Sequence, residues 1–436
     1  MGQKKHKFTV LLLLFIFAFP TLTVKANGMP EINGSSAISF DMDTKELIFT
    51  KNIDAKAYPA SITKLLTALV FSDYYGDKKT EYLEYKQEGK LEVPYAIYWN
   101  LKNIAVGTEI SADDMMHALL LGSANDAAVV IALNVSETIP DFVALMNEKA
   151  KSIGMENSNF VTTTGIHDDN HYVTAYDLMF LLDAAFKDPW INEVSLKQTY
   201  DMMSKNQKLG TIESKNKHIG LHGNVFGKTG YTSEAGRCFA GVYERDGRTI
   251  GNVILNSKND GNLNILVFEE TLTMVDAAFK ETKITKLKED EEVSVITIPY
   301  RPYRFIGPTK EVEVPIKTVD SISVYGNDVN LNEATLDYVY SELKANDIKE
   351  GTVMGSAIIK ERQTEKTVEL VSTINVQKTI LKTHLFSYIM IGLFTIILIT
   401  TILVVTIKKR QRKLARRRRV ETGRRNKRYV DEHSKR

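Results

Sequence analysis

An α+β domain, a β-rich domain behind it and one C-terminal membrane helix are what this sequence predicts. Three observations carry that reading. Between residues 36 and 280, apolar helical runs are interleaved with paired strand-like runs. From about Glu291 the helical pattern gives way to alternating and β-branched runs. Leu385 to Ile407 then holds about twenty-three residues without a charge, enough to cross a bilayer. A length of 436 residues fits two or three domains, and 43% hydrophobic with 25% charged residues suits a sizeable core. The expected divisions are a signal peptide over 1–26, an α+β domain over 27–283, a β-rich domain over 284–383, a transmembrane helix over 385–407 and a basic tail over 408–436.

Charge is unevenly placed. Of the net +2, residues 408–436 contribute +12 and residues 1–26 contribute +4, leaving −14 on residues 27–407. An acidic body argues against nucleic acid as a partner. The single Cys238 excludes an intramolecular disulfide framework.

Lys4, Lys5 and Lys7, an apolar core from Phe8 to Phe19, and Val24-Lys25-Ala26 have the order of a secretory signal peptide. The following domain is therefore expected outside the cytoplasm. Ser36–Asp41 and Leu47–Thr50 read as a hairpin. Pro59 precedes an apolar run (Leu65, Leu66, Ala68, Leu69, Val70, Phe71), a helix-start signal. Residues 72–110 show no clear pattern. Ser111-Ala112-Asp113-Asp114 reads as an N-cap ahead of an apolar helix, Met115–Leu121. Gly122 to Asp126 interrupts that pattern before a second apolar helix through Leu133. Residues 137–187 are mostly helical. Arg237–Glu244 and Arg248–Leu255 read as strands joined by Arg245-Asp246-Gly247, and Leu263–Phe279 as a helix. The Lys/Arg-rich tail after the charge-free stretch marks a cytoplasmic C-terminus, with anionic headgroups as natural neighbours.

Three short motifs carry the chemistry. Ser61 and Lys64 are three apart and share one face of a helix. A serine hydroxyl needs a base beside it, and a lysine serves only when its environment favours the neutral amine. Ser-x-x-Lys also occurs at Ser214-Lys217 and Ser341-Lys344, so the pair alone is not distinctive. Ser123 and Asn125 lie on the connection between two buried helices, where a plain capping role is the competing reading. Lys228-Thr229-Gly230 occurs once, on or just before a strand. A lysine beside a hydroxyl makes an anion-friendly edge, and Gly230 admits close approach of a ligand to the backbone. His167 and His171 are four apart, but Gly165 and the run Asp168-Asp169-Asn170 read as a loop, which argues against a helical metal-binding pair.

Taken together, Ser61-x-x-Lys64, Ser123-x-Asn125 and Lys228-Thr229-Gly230, in that order, resemble the motif set of the active-site serine penicillin-recognising enzymes. Tyr58-Pro-Ala-Ser-Ile-Thr-Lys-Leu-Leu-Thr67, Ser123-Ala-Asn-Asp-Ala-Ala128, Gly227-Lys-Thr-Gly-Tyr-Thr-Ser-Glu-Ala-Gly236 and Thr164-Gly-Ile…His171-Tyr-Val-Thr-Ala175 most resemble the low-molecular-mass penicillin-binding proteins, serine-type D-alanyl-D-alanine carboxypeptidases of the peptidase S11 family. The resemblance covers residues 30–280. It departs at Ala124, where glycine is common, and in having a full transmembrane helix.

The resemblance implies a penicillin-binding-protein/β-lactamase-like transpeptidase domain, an antiparallel sheet flanked by helices. It implies removal of the terminal D-alanine from peptidoglycan stem pentapeptides through a Ser61 acyl-enzyme. Ser61, Lys64 and Ser123 would be catalytic, and Asn125, Lys228, Thr229, Gly230 and Tyr231 would bind substrate. It further implies no metal and no cofactor, β-lactams as covalent inhibitors, and a single-pass protein of the cell membrane with its catalytic domain outside. A D,D-endopeptidase, or a wall-binding or regulatory protein with an inactive site, are the alternatives. A class A β-lactamase fits less well: Glu193-Val-Ser-Leu-Lys197 ends in lysine and lies too close to Lys228.

Overall fold

The computed structural model describes residues 28–91, 104–258, 265–303 and 307–434. The expected signal peptide, 1–26, lies outside the described residues. The chain forms two compact units. One takes residues up to Lys286 with 323–335 and 359–366; the other takes 287–322, 336–358 and 367 onward.

In the first unit, β1 (Ser36–Asp41) and β2 (Leu47–Lys51) form the expected hairpin. A 3₁₀ turn, Ala60–Ile62, leads into α1 (Thr63–Tyr75). β3 (Tyr82–Glu84), α2 (Gln87–Leu91) and β4 (Glu109–Ser111) occupy the stretch without a sequence pattern. α3 (Ala112–Leu120) is capped by Ser111, whose hydroxyl accepts from the Asp114 N–H at 3.1 Å, as the sequence suggests. α4 (Asn125–Val135), α5 (Ile139–Ser152), α6 (Ala175–Lys187) and α7 (Pro189–Ser195) complete the helical layer. The pair β5 (Thr199–Met203) and β6 (Lys208–Glu213) precedes β7 (Asn224–Thr232), β8 (Gly236–Arg245), β9 (Arg248–Ser257), α8 (Ile265–Lys280) and β10 (Lys283–Leu287).

The main sheet runs β2-β1-β9-β8-β7, with each neighbouring pair antiparallel. Alternation along each strand sorts its side chains. Ile38, Phe40, Phe226, Ala240, Val242, Val253 and Leu255 share a core with α1, α3, α4 and α6. Ala37, Phe239, Tyr243, Ile250 and Ile254 pack with Val267, Phe268, Met274 and Val275 of α8 on the other face. Lys228 and Gly230 have the parity of Phe226, so β7 directs them toward the helical layer. As the last strand in the sheet order, β7 has one unpaired edge. A short ladder pairs β10 with β13 (Ile322–Tyr325), and α9 (Asp328–Glu333) follows in the same unit.

The second unit contains a five-stranded sheet ordered β11 (Glu292–Tyr300), β12 (Lys310–Thr318), β16 (Thr364–Ser372), β15 (Val353–Glu361) and β14 (Thr335–Tyr340). Val312, Val314, Ile316, Met354, Ala357 and Leu370 are buried in it. One continuous helix, α10 (Val376–His433), follows. Among the described residues it alone is, as a single helix, long and apolar enough to cross a membrane. Its charge-free part, 385–407, is about 34 Å long at 1.5 Å per residue.

Candidate active site

Ser61 does not sit on a regular helix, as Pro59 suggests, but in the 3₁₀ turn just ahead of α1. The turn is tightly held. Ala60 has φ +47°, a left-handed conformation that an alanine adopts only under constraint from its surroundings. Two glycines let the chain pack closely around it. Gly165 has φ +82°, and a Cβ there would lie 1.9 Å from the Ala60 carbonyl oxygen. A Cβ on Gly230 would lie 2.7 Å from the Pro59 carbonyl oxygen and 3.2 Å from the Ala60 Cβ. The serine turn is thus clamped between a loop and the β7 strand, and neither clamp tolerates a side chain.

The lysine three residues on is fully buried. Lys64 Nζ donates to Ser61 Oγ at 2.9 Å and to the Thr164 carbonyl at 2.7 Å. The carbonyl is fixed by a network that the sequence does not announce. Thr67 Oγ1 donates to the Thr163 carbonyl at 2.7 Å, and the Gly165 N–H to Thr162 Oγ1 at 3.0 Å. His171 Nδ1 accepts the N–H groups of Val161 (3.1 Å) and Thr162 (3.3 Å). Its other nitrogen, Nε2, therefore carries the proton and donates to Thr63 Oγ1 at 2.8 Å. Burial pushes the imidazole down to about 4, so it is neutral at pH 7. His171 is thus a brace for the lysine's acceptor loop. His167 lies edge-on to Tyr58, ring centroids 4.5 Å apart. Among the described residues no group of three or more His, Cys, Asp or Glu is placed to hold a metal ion.

A second lysine–serine pair faces the first from the sheet side. Ser123 sits between α3 and α4 with φ +58°. Lys228 Nζ donates to Ser123 Oγ at 2.8 Å and to the Thr229 carbonyl at 3.2 Å. Burial, helped by the charge of Lys215, lowers the Lys228 ammonium to about 7. Asn125 is the buried first residue of α4. Its neighbour Asp126 is buried too and accepts from Tyr85 Oη at 3.1 Å; burial raises its carboxyl to about 6. Sequence patterning picked out neither Asp126 nor Tyr85.

Thr229 is buried, Gly230 lies against the serine turn, and Tyr231 is 39% exposed with the Arg237 guanidinium 4.0 Å from its ring centroid. Cys238 pairs with Gly230 across the ladder, and burial raises its thiol to about 12, so it is an inert core residue. The other Ser-x-x-Lys match in this unit is different in kind: Lys217 Nζ reaches the Ser214 carbonyl, at 3.5 Å. Glu193 is an exposed residue of α7.

Two buried lysines, each donating to a serine hydroxyl, beside an open strand edge, are an arrangement for nucleophilic acyl transfer. Residues 23–259 match the family model described as D-alanyl-D-alanine carboxypeptidase, peptidase S11. The chain belongs to this family. Among its relatives is the D-alanyl-D-alanine carboxypeptidase DacF of Bacillus subtilis (strain 168), 24% identical over 380 residues, 82% of this chain and 91% of the relative. The D-alanyl-D-alanine endopeptidase of Escherichia coli (strain K12) is 32% identical over 224 residues, 50% of this chain and 69% of that protein. Among solved structures, penicillin-binding protein 5 from Haemophilus influenzae shares the fold with a TM-score of 0.54 at 18% identity, covering 80% of this chain and 98% of its own. Penicillin-binding protein D2 from Listeria monocytogenes, solved with ampicillin bound, has a TM-score of 0.51 at 25% identity, covering 58% of this chain and 99% of its own. The α+β fold expected from the motifs is therefore that of the penicillin-binding serine peptidases.

Proposed function

We propose that this chain is a membrane-anchored serine D-Ala-D-Ala carboxypeptidase acting on peptidoglycan stem pentapeptides. The observation that carries the reading is the pair of buried contacts, Lys64 Nζ to Ser61 Oγ at 2.9 Å and Lys228 Nζ to Ser123 Oγ at 2.8 Å. The names of its relatives agree with it.

On this reading Ser61 Oγ attacks the carbonyl of the penultimate D-alanine, and Lys64, in its neutral form, takes the hydroxyl proton. Complete burial of an amine favours that form. The oxyanion is received by the backbone N–H groups of Ser61 and Tyr231. Ser123 passes a proton to the departing D-alanine amine as its C–N bond breaks. Lys228 lends positive potential to Ser123 and to the substrate's terminal carboxylate, which Thr229 Oγ1 also binds. Asn125 bonds the substrate backbone and orients Lys64. The open edge of β7 suits an extended peptide laid alongside it. Water then attacks the acyl-enzyme and releases the tetrapeptide. A β-lactam presents a carbonyl and a carboxylate in similar places and acylates the same serine.

The basic tail after α10 supports a cytoplasmic C-terminus with the peptidase unit on the outer side. The endopeptidase relative keeps a second reading alive, cleavage of cross-links by the same residues. The test is D-alanine release by the full-length protein in detergent, with a D-Ala-D-Ala-ending pentapeptide and cross-linked muropeptides offered in parallel. Preferential release from the pentapeptide is expected. Cleavage of cross-links alone would give the endopeptidase, and inactivity on both would give the wall-binding alternative.

A further inference from the structure

In the second unit, the β11–β12 hairpin and α10 meet through a cluster of aromatic side chains. Tyr300 Oη is 2.8 Å from His384 Nε2. Tyr388 Oη donates to the Pro302 carbonyl at 2.9 Å. The Tyr303 and Tyr388 rings stand edge to face, centroids 5.9 Å apart and planes at 88°. His384 is 5% exposed, so the helix is docked on the hairpin at this level.

That level is set by the sequence of α10. Lys382 is the last charge before the apolar stretch, and Leu385 is its first residue. Tyr388 lies three residues further, about 4–5 Å along the axis. The outward side chains here are apolar: Phe386 is 75% exposed, and Leu385 and Ile389 about half. A bilayer that takes in residues 385–407 must place its headgroup boundary near His384 to Tyr388. The hairpin tip is bonded to that same level. Its described residues, Tyr300, Arg301, Pro302 and Tyr303, are of the kind that suits the boundary, rings with polar tips and a guanidinium that reaches phosphate.

We propose that the hairpin tip Tyr300–Tyr303, together with Tyr388, docks into the phospholipid headgroup layer where α10 enters the membrane. The β-rich unit then touches the bilayer at two elements, the helix and the hairpin. The inference rests on α10 spanning the membrane and is independent of the peptidase reading.

The test uses the full-length protein in nanodiscs of phosphatidylethanolamine and phosphatidylglycerol. An environment-sensitive fluorophore is attached at Arg301→Cys and, separately, at Asp320→Cys, just past the far end of β12. Cys238 is buried and does not label. Quenching by lipids carrying a doxyl group near the headgroup is expected to be several-fold stronger at 301 than at 320, with aqueous iodide showing the reverse order. Equal iodide access at the two positions would overturn the proposal. So would shielding of 301 from both quenchers, which would mean that protein, not lipid, covers the tip.

Discussion

The two lysine–serine pairs look alike and are built differently. Lys64 and Ser61 are neighbours on one turn of chain, and the lysine's second acceptor, the Thr164 carbonyl, is braced by Thr67, Thr162 and His171. Lys228 and Ser123 are 105 residues apart, joined only because the sheet edge meets the α3–α4 connection. The first pair is held by the bond between Lys64 and Ser61 and by that from Lys64 to the Thr164 carbonyl. The second keeps its lysine near a neutral pKa through burial and a neighbouring positive charge. On the proposed mechanism the difference suits a division of labour: a fixed nucleophile and base on one side, a titratable proton and charge relay on the other.

Removing each serine in turn tests that division hardest. Ser61→Ala is expected to lower kcat/KM for D-alanine release by at least about 10⁴-fold, and Ser123→Ala by about 10²–10³-fold. Equal losses would erase the distinction. The clamp on the Ser61 turn comes next. Gly165→Ala places a methyl against the Ala60 carbonyl at φ +82° and is expected to cost at least about 3 kcal/mol in denaturant unfolding. Gly107→Ala, with φ +85° and nothing within 4 Å, should cost only about 1 kcal/mol.

pH separates the two sides further. His171 titrates at about 4 when folded and about 6.5 when unfolded. Its contribution is complete above pH 6.5 and is lost as pH falls toward 4, about 3 kcal/mol in all. His218, also lowered to about 4 by burial, adds to the same slope. His171→Asn should flatten the stability–pH curve there without abolishing it. Asp126 has the opposite sign. Its carboxyl, raised to about 6, stays protonated in the folded protein while the unfolded chain ionises from about pH 4, so stability is lost as pH rises from about 4 to 6. Asp126→Asn should stabilise the protein by about 2 kcal/mol at pH 8 and leave it unchanged at pH 4. A gain over the native protein no larger at pH 8 than at pH 4 would show that the carboxylate is better accommodated than its burial suggests.

The first pair was open to sequence reasoning because its spacing is local. The second was open only through the order of three motifs, since no periodicity links Ser123 to Lys228. Thr164, Gly165 and His171 could be quoted as a block, but their roles depend on backbone carbonyls and on contacts across more than ninety residues, which leave no local pattern. Ser61 was expected on a helix because Pro59 commonly opens one. Packing of Gly165 and Gly230 holds a 3₁₀ turn there instead. The alternation that points Lys228 inward follows only from the structure's β7, since the sequence placed Lys228-Thr229-Gly230 on or just before a strand. β3, α2 and β4 were not legible, being too short to show a period.

On the proposed mechanism Ser61, and not Ser123, forms the covalent bond. Full-length protein and the two serine variants would be incubated with a β-lactam, digested and mapped by mass spectrometry. An adduct is expected on the peptide containing Ser61 in the native protein, a slower one at the same place in Ser123→Ala, and none in Ser61→Ala. An adduct on Ser123, or one that survives loss of the Ser61 hydroxyl, would contradict it.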